Sequence, residues 1–228
     1  MIDIAVVDYG MGNLRSVAKA LEHVAPSKVI MVTGDPAAIR DAGRVVFPGQ
    51  GAMPDCMREM DARGLRTPLL EAARSKPFLG LCIGLQMLFE HSEEGDTPGL
   101  GVLPGKVLRF SSHLCHADQG EKLKVPHMGW NQVYQTISHP MWDGIAEGSR
   151  FYFVHSYYVD TTEQGLVAGT SLYPSAFTCA VARNNIFAVQ FHPEKSQSAG
   201  LRLLSNFVSW NGTKGVPVHT RAVPAANV

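Results

Sequence analysis

Short apolar runs separated by helical periodicities organise the first third of the chain. Residues 2–7 are apolar almost without interruption and end at Asp8-Tyr9-Gly10, the pattern of a strand covered on both faces and closed by a turn. Asn13 is placed to cap a helix on which Leu14, Val17, Ala18 and Leu21 recur at helical spacing. Residues 29–32 and 44–47 are two more β-branched runs, and alternation of such strands with helices predicts a parallel sheet. Pro48-Gly49-Gln50-Gly51 breaks the pattern, an irregular helical stretch runs to Met60, and another helix spans residues 67–74. The apolar strand 77–81 then stops at Cys82, after which Leu85, Met87, Leu88 and Phe89 suggest a helix starting at Gly84.

The second half reads differently. Residues 102–110, 130–135, 151–159, 166–172 and 177–189 all have strand character with few helices between, and Asn184-Asn185 suits a hairpin turn. The expected fold is therefore α/β: a mixed, mainly parallel central sheet flanked by helices, with an antiparallel extension. A last amphipathic helix is expected over residues 198–210, and the aperiodic segment 212–228 reads as a mobile tail following a single domain of residues 1–211.

Composition narrows the function. The 228 residues are 45% hydrophobic, ample for one core, and 20 basic residues balance 20 acidic ones, so no net charge favours nucleic acid or an anionic membrane. No apolar run is long enough to span a bilayer, and the N-terminus has no basic segment ahead of a long apolar stretch, so a cytoplasmic protein is expected. Cys56, Cys82, Cys115 and Cys179 lack the paired spacing of zinc or redox sites. His113, Cys115, His116 and Asp118 share a polar loop, residues 111–124, but their spacing is loose and no metal site is expected. Asn211-Gly212-Thr213 is formally a glycosylation sequon, without meaning for a cytoplasmic chain.

Cys82 stands apart. Gly80-Leu81-Cys82-Ile83-Gly84 has the glycine-x-nucleophile-x-glycine form of a strand-to-helix elbow, in which the glycines relieve crowding and the helix amides face the sulfur. The competing reading is a buried cysteine at a strand end. Gln190-Phe191-His192-Pro193-Glu194 offers a base: Pro193 holds His192 extended, so that Glu194, two residues on, can orient the imidazole. Alone it could be a solvated turn; with the elbow it supplies the cysteine, histidine and carboxylate that acyl transfer requires.

Gly80 to Gln86 paired with Phe191-His192-Pro193-Glu194 resembles the class I, or triad, glutamine amidotransferase family, a flavodoxin-like fold. Further segments resemble the glutaminase subunits of imidazole glycerol phosphate synthase: residues 8–14, Pro126-His127-Met128-Gly129-Trp130-Asn131, residues 152–158 and residues 190–196. The similarity extends over residues 1–210. It implies hydrolysis of L-glutamine through a cysteinyl thioester on Cys82, with His192 and Glu194 completing the triad and no cofactor. By the same resemblance Gly49, Gln50, Gly51 and Ile83 belong to the oxyanion site, and Gln86, Ser156 and Tyr157 contact glutamine. Asn13, His127, Trp130, Tyr152 and Lys195 match positions facing the cyclase subunit of a heterodimer, whose (β/α)8 barrel receives the ammonia. Their plainer readings are an ordinary polar helix residue for Gln86, core packing for Trp130 and Tyr152, and a solvated charge for Lys195. The rivals are a stand-alone cysteine hydrolase of γ-glutamyl compounds, a noncatalytic scaffold, and another class I amidotransferase.

Overall fold

The computed structural model describes residues 1–111, 124–213 and 216–217. Five strands build its parallel half: β1 (Ile4–Val7), β2 (Ile30–Thr33), β3 (Arg44–Phe47), β4 (Phe78–Leu81) and, from far along the chain, β15 (Ile186–Val189), in the order β2-β1-β3-β4-β15. Their side chains alternate between two cores. Ile4, Val6, Val46, Leu79, Leu81, Phe187 and Val189 enter one; Val7, Val45, Phe47, Phe78, Ile186 and Ala188 enter the other. Apolar residues are therefore demanded at nearly every position of β1, β3, β4 and β15, and those runs are continuous rather than alternating, whereas the edge strand β2 leaves Met31 and Val32 exposed.

Helices α1 (Leu14–Val24) and α6 (Gln197–Ser209) pack together on the first core, while α3 (Met53–Ala62) and α4 (Arg66–Ser75) cover the second. Asn13 precedes α1 as expected, but its side chain makes no capping bond. A helix not anticipated, α2 (Pro36–Asp41), is capped by Asp35, whose carboxylate accepts from the Ala37 amide. It packs against α4.

Helix α5 (Ile83–Gln86) follows β4 and is a single turn, shorter than the apolar pattern suggests. The carbonyls of Met87, Leu88 and Phe89 accept from the amides of Leu100, Val102, Leu103 and Gly101, so they are not available to extend a helix. The chain instead enters β5 (His91–Ser92) and β6 (Thr97–Pro98).

Strands β7 (Lys106–Arg109), β12 (Tyr157–Asp160) and β14 (Ala176–Arg183) continue the sheet beyond β15 as the antiparallel extension, and β13 (Val167–Leu172) and β9 (Tyr134–Gln135) branch from β14. Asn184 takes the positive φ, 54°, of the β14–β15 hairpin. The expected strand over residues 151–159 is two: β11 (Arg150–His155) leaves the large sheet to pair with β8 (His127–Gln132) as a separate ribbon, and Ser156 is the break. The last described strand, β16 (Val216–Pro217), pairs with β10 (Ile137–Ser138), so these two positions of the expected tail carry a strand pairing. The loop residues His113, Cys115, His116 and Asp118 lie outside the described residues. Among the described residues no helix is long and apolar enough to cross a membrane, and no group of three or more His, Cys, Asp or Glu side chains is placed to hold a metal.

Candidate active site

Cys82 sits at the C-terminal end of β4 with φ 54° and ψ −112°, a conformation closed to most side-chain-bearing residues. Such strain costs about 1–3 kcal/mol and persists only where the surroundings impose it. They do so on both sides. The Cys82 amide donates to the Val189 carbonyl at 2.8 Å, tying the elbow to β15, and the Leu85 amide donates to the Cys82 carbonyl at 3.1 Å. A Cβ on Gly84 would overlap the Phe47 carbonyl, and one on Gly80 would lie 2.9 Å from the Ala188 Cβ. Both glycines are thus needed for the elbow to pack as closely as it does against β3 and β15.

The base lies beyond β15. His192 is extended, with φ −104° and ψ 95°, and Pro193 opens a 3-10 turn that brings Glu194 back onto the ring. His192 Nδ1 lies 2.8 Å from Glu194 Oε1, with the two side chains only 9% and 2% exposed. A carboxylate accepts, so Nδ1 carries the proton and Nε2 is the face turned to other chemistry. Burial works against the imidazolium, but the adjoining Cys82 sulfur and then Glu194 outweigh it and hold His192 well above its ordinary value. Among the described residues, Nε2 itself has no conventional hydrogen-bond partner, and neither does Glu194 Oε2.

Sequence reasoning assigned no role to Ser196. Its hydroxyl donates to the His192 carbonyl at 2.6 Å and accepts from the Tyr152 amide at 3.0 Å, while the His192 amide donates to the Tyr152 carbonyl at 2.9 Å. The histidine backbone is therefore clamped to β11.

Cys82 and His192 share a cleft of about 430 Å³ with Gln50, Gly51, Ile83, Gln86, Ser156, Tyr157 and Lys195, all singled out from the sequence. Glu94, Pro126, Val154 and His155 also line it, and the sequence reading gave none of them a role. Glu94 Oε2 accepts from the Met53 amide at the start of α3, at 2.8 Å, which fixes a carboxylate at the cleft. Gly49 lies beneath rather than in the cleft, since a Cβ there would overlap the Tyr9 hydroxyl and the Ile83 side chain. The Cys56 thiol, pushed up to about 11 chiefly by burial, donates to the Gln50 carbonyl at 3.6 Å. The loop before α1 packs on the same segment: a Cβ on Gly12 would be 3.3 Å from the Gly49 Cα, and one on Gly51 would be 2.8 Å from Met11 Cε.

The five positions expected to face a partner divide. Trp130 is 43% exposed on the outer face of the β8–β11 ribbon, paired edge-on with Tyr152 at 6.1 Å, beside Met128 at 61%. Lys195 Nζ lies 5.9 Å from the Tyr152 ring centroid and has no ion-pair partner among the described residues. Asn13 starts α1 near the Gly49 segment. His127 departs from the expectation of a facing position: it is 4% exposed, because alternation along β8 turns it inward, where its ring stacks on Phe153 and Tyr173.

The family model for class-I glutamine amidotransferases matches residues 5–210. The chain is 69% identical over 210 residues to imidazole glycerol phosphate synthase subunit HisH of Thiobacillus denitrificans, covering 92% of each chain. It is 66% identical to the protein of the same name from Aromatoleum aromaticum, covering 92% of this chain and 99% of that one. Among solved structures, a putative GMP synthase protein from Thermoplasma acidophilum superposes with a TM-score of 0.67 at 18% identity, covering 92% of this chain and 93% of that one, a likeness of fold. A β4–α5 elbow bearing Cys82, a buried His192–Glu194 pair in the same cleft and a family match across nearly the whole chain agree: the protein belongs to the class-I glutamine amidotransferases.

Proposed function

We propose that this chain is the glutamine-hydrolysing subunit of imidazole glycerol phosphate synthase and works in histidine biosynthesis. The observation that carries the reaction is the strained Cys82 in one cleft with the His192–Glu194 pair. Glutamine lies with its side-chain amide over Cys82 and its amino-acid end toward Ser156, Tyr157 and Gln86. Glu94 supplies the negative charge for the α-ammonium. The Cys82 thiol gives its proton to His192 Nε2 and the sulfur attacks the amide carbon: a C–S bond forms, and the carbonyl electrons move onto oxygen, where amides of the Gly49-Gln50-Gly51 segment and of Ile83 receive them; one such donor is worth about 3 kcal/mol. The tetrahedral species collapses by breaking C–N as the proton on His192 Nε2 passes to the departing nitrogen, giving ammonia. His192 then takes a proton from water, which attacks the thioester, and cleavage of C–S releases glutamate and restores the pair.

Residues 1–211 form the catalytic unit. Trp130, Met128, Tyr152, Lys195 and Asn13 make the face that docks on a barrel cyclase, and ammonia leaves the cleft through that face. Identity of about two thirds with proteins of that name supports the assignment over another class-I partner. The test is Cys82→Ala in the complex: synthesis from glutamine is lost, while synthesis from added ammonium salt persists. Loss of both in an assembled complex would refute the division of labour.

A further inference from the structure

Beneath the β8–β11 ribbon runs a chain of hydrogen bonds whose direction is fixed at every step. Asn131 Oδ1 accepts from the Gln132 amide at 2.8 Å, so the other amide atom is nitrogen, and its two hydrogens point to the Leu172 carbonyl, 2.8 Å, and to His127 Nε2, 3.2 Å. His127 Nδ1 lies 2.9 Å from His155 Nε2, and His155 Nδ1 lies 2.8 Å from the Tyr157 carbonyl. A carbonyl can only accept, so His155 Nδ1 donates, its Nε2 is a lone pair, and His127 must donate from Nδ1 and accept at Nε2. Both rings are neutral: burial pushes His127 down to about 4 and His155 down to about 3. Phe153 and Tyr173 stack on His127 at 4.9 and 4.0 Å, and Phe110 and Phe177 pack on His155, which fixes the rings.

The chain does not end at Tyr157. The same carbonyl accepts from Gln86 Nε2 at 3.2 Å, whose second hydrogen goes to Gln190 Oε1 at 3.0 Å, and Gln190 Nε2 points to the Cys82 sulfur at 3.9 Å. The Gln86 amide is thereby oriented with Oε1 outside the network.

We propose that Asn131, His127 and His155 are positioning residues for glutamine, forming a one-way relay that sets the Tyr157 carbonyl and, through it, the Gln86 amide in the substrate cleft. The proposal rests on the glutaminase reading of that cleft. It assigns the relay no contact with the reacting atoms, so its effect belongs in substrate affinity rather than in the chemical step. It also gives the buried His127 a role distinct from that of the exposed residues of its strand: this chain carries a shift of the ribbon to Gln86, as the Tyr152 clamp carries one to His192.

The experiment compares His155→Phe with His155→Asn in the full chain bound to its barrel cyclase, measuring KM for glutamine and kcat. Phenylalanine keeps the aromatic packing but gives Tyr157 no donor; asparagine places an amide nitrogen near the position of Nδ1. Phenylalanine raises KM by about five- to tenfold with kcat changed less, the size expected for one lost hydrogen bond, and asparagine restores much of the affinity. If His155→Phe does not fold, His127→Phe against His127→Asn carries the same comparison one link earlier, because phenylalanine keeps the stack on Phe153 and Tyr173. An unchanged KM in the phenylalanine variant, or an asparagine variant no better than phenylalanine, overturns the relay while leaving the glutaminase reading intact. A wild-type complex that does not hydrolyse glutamine overturns both.

Discussion

Replacing Glu194 by glutamine removes one charge and almost no volume, and the structure sets the size of the effect. The carboxylate holds His192 Nδ1 at 2.8 Å in a site where its side chain is 2% exposed, and its second oxygen is buried without a partner among the described residues. Glutamine can keep an oxygen on Nδ1, but it then buries an unpaired amide nitrogen where Oε2 lay. Turned over, it satisfies neither the ring tautomer nor the reaction, because Nε2 would carry the hydrogen in the neutral ring. Losing a charge-assisted bond costs ~2 kcal/mol and the stranded amide adds about 1–2 kcal/mol, which together lower kcat roughly 10²- to 10³-fold. KM changes little, since Glu194 does not line the substrate cleft. A second readout is stability against pH. His192 is held above its ordinary value, so its contribution is complete below about pH 6.5 and is lost as pH rises through the raised value, on the alkaline side of neutrality. In Glu194→Gln one cause of the elevation is gone, and the fall of Tm above pH 7 is shallower than in wild type. Steady-state kinetics and melting curves at several pH values check both. A variant with normal kcat and raised KM, or an unchanged alkaline slope, would show that Glu194 does not act through His192.

Gly84→Ala puts a methyl into the Phe47 carbonyl and so forces β3 and the elbow apart; glutaminase activity falls at least 10²-fold, with a fall in Tm, whereas normal kinetics would mean that the elbow tolerates separation. Burial pushes His127, His139 and His155 down to about 4, 4 and 3, so the unfolded chain binds more protons and stability is lost as pH falls below about 6.5. If all three contribute, the urea midpoint drops by up to ~4 kcal/mol per pH unit of equivalent stability near pH 5, and a flat midpoint from pH 7 to 5 would refute their neutral burial.

The parallel half of the sheet was legible because burial on both faces leaves an unbroken apolar run, which β1, β4, β15 and, after Arg44, β3 all have. The candidate triad was legible because a short elbow and a two-residue His–Glu spacing are local patterns. What sequence reading missed depends on partners distant along the chain. Helix α2 buries only Ile39, too little to make a periodicity, although Asp35-Pro36 is a capping signal. The elbow helix stops after one turn because residues 99–103 capture the carbonyls that would propagate it. Glu94 enters the cleft through a bond to Met53, 41 residues away, and His155 joins His127 only because Ser156 lets β11 leave the main sheet.

The same dependence on distant contacts bears on how a partner would control hydrolysis. Glycine at position 49 leaves a peptide that can turn either its amide or its carbonyl toward the oxyanion, and a missing donor costs about two to three orders of magnitude in rate. Position 50 is less free, since its carbonyl is held by the Cys56 thiol, and position 49 is roofed by Tyr9 and Ile83. Any rotation is thus confined to the Gly49-Gln50 peptide, whose near neighbours are Gly12 and Met11, in the loop that leads to Asn13. Docking on Asn13 and Lys195 would move that loop and favour one orientation, provided the partner contacts the two states differently. The isolated chain is then expected to bind glutamine and hydrolyse it slowly, with ligand-loaded cyclase raising kcat by about 10² or more and changing KM little. Gly49→Pro, which fixes the backbone leading into this peptide and sets a ring against Tyr9 and Ile83, should blunt this activation and lower Tm. Kinetics with and without the loaded partner decide the matter: an isolated chain already at full rate would mean that the peptide needs no partner to face the right way.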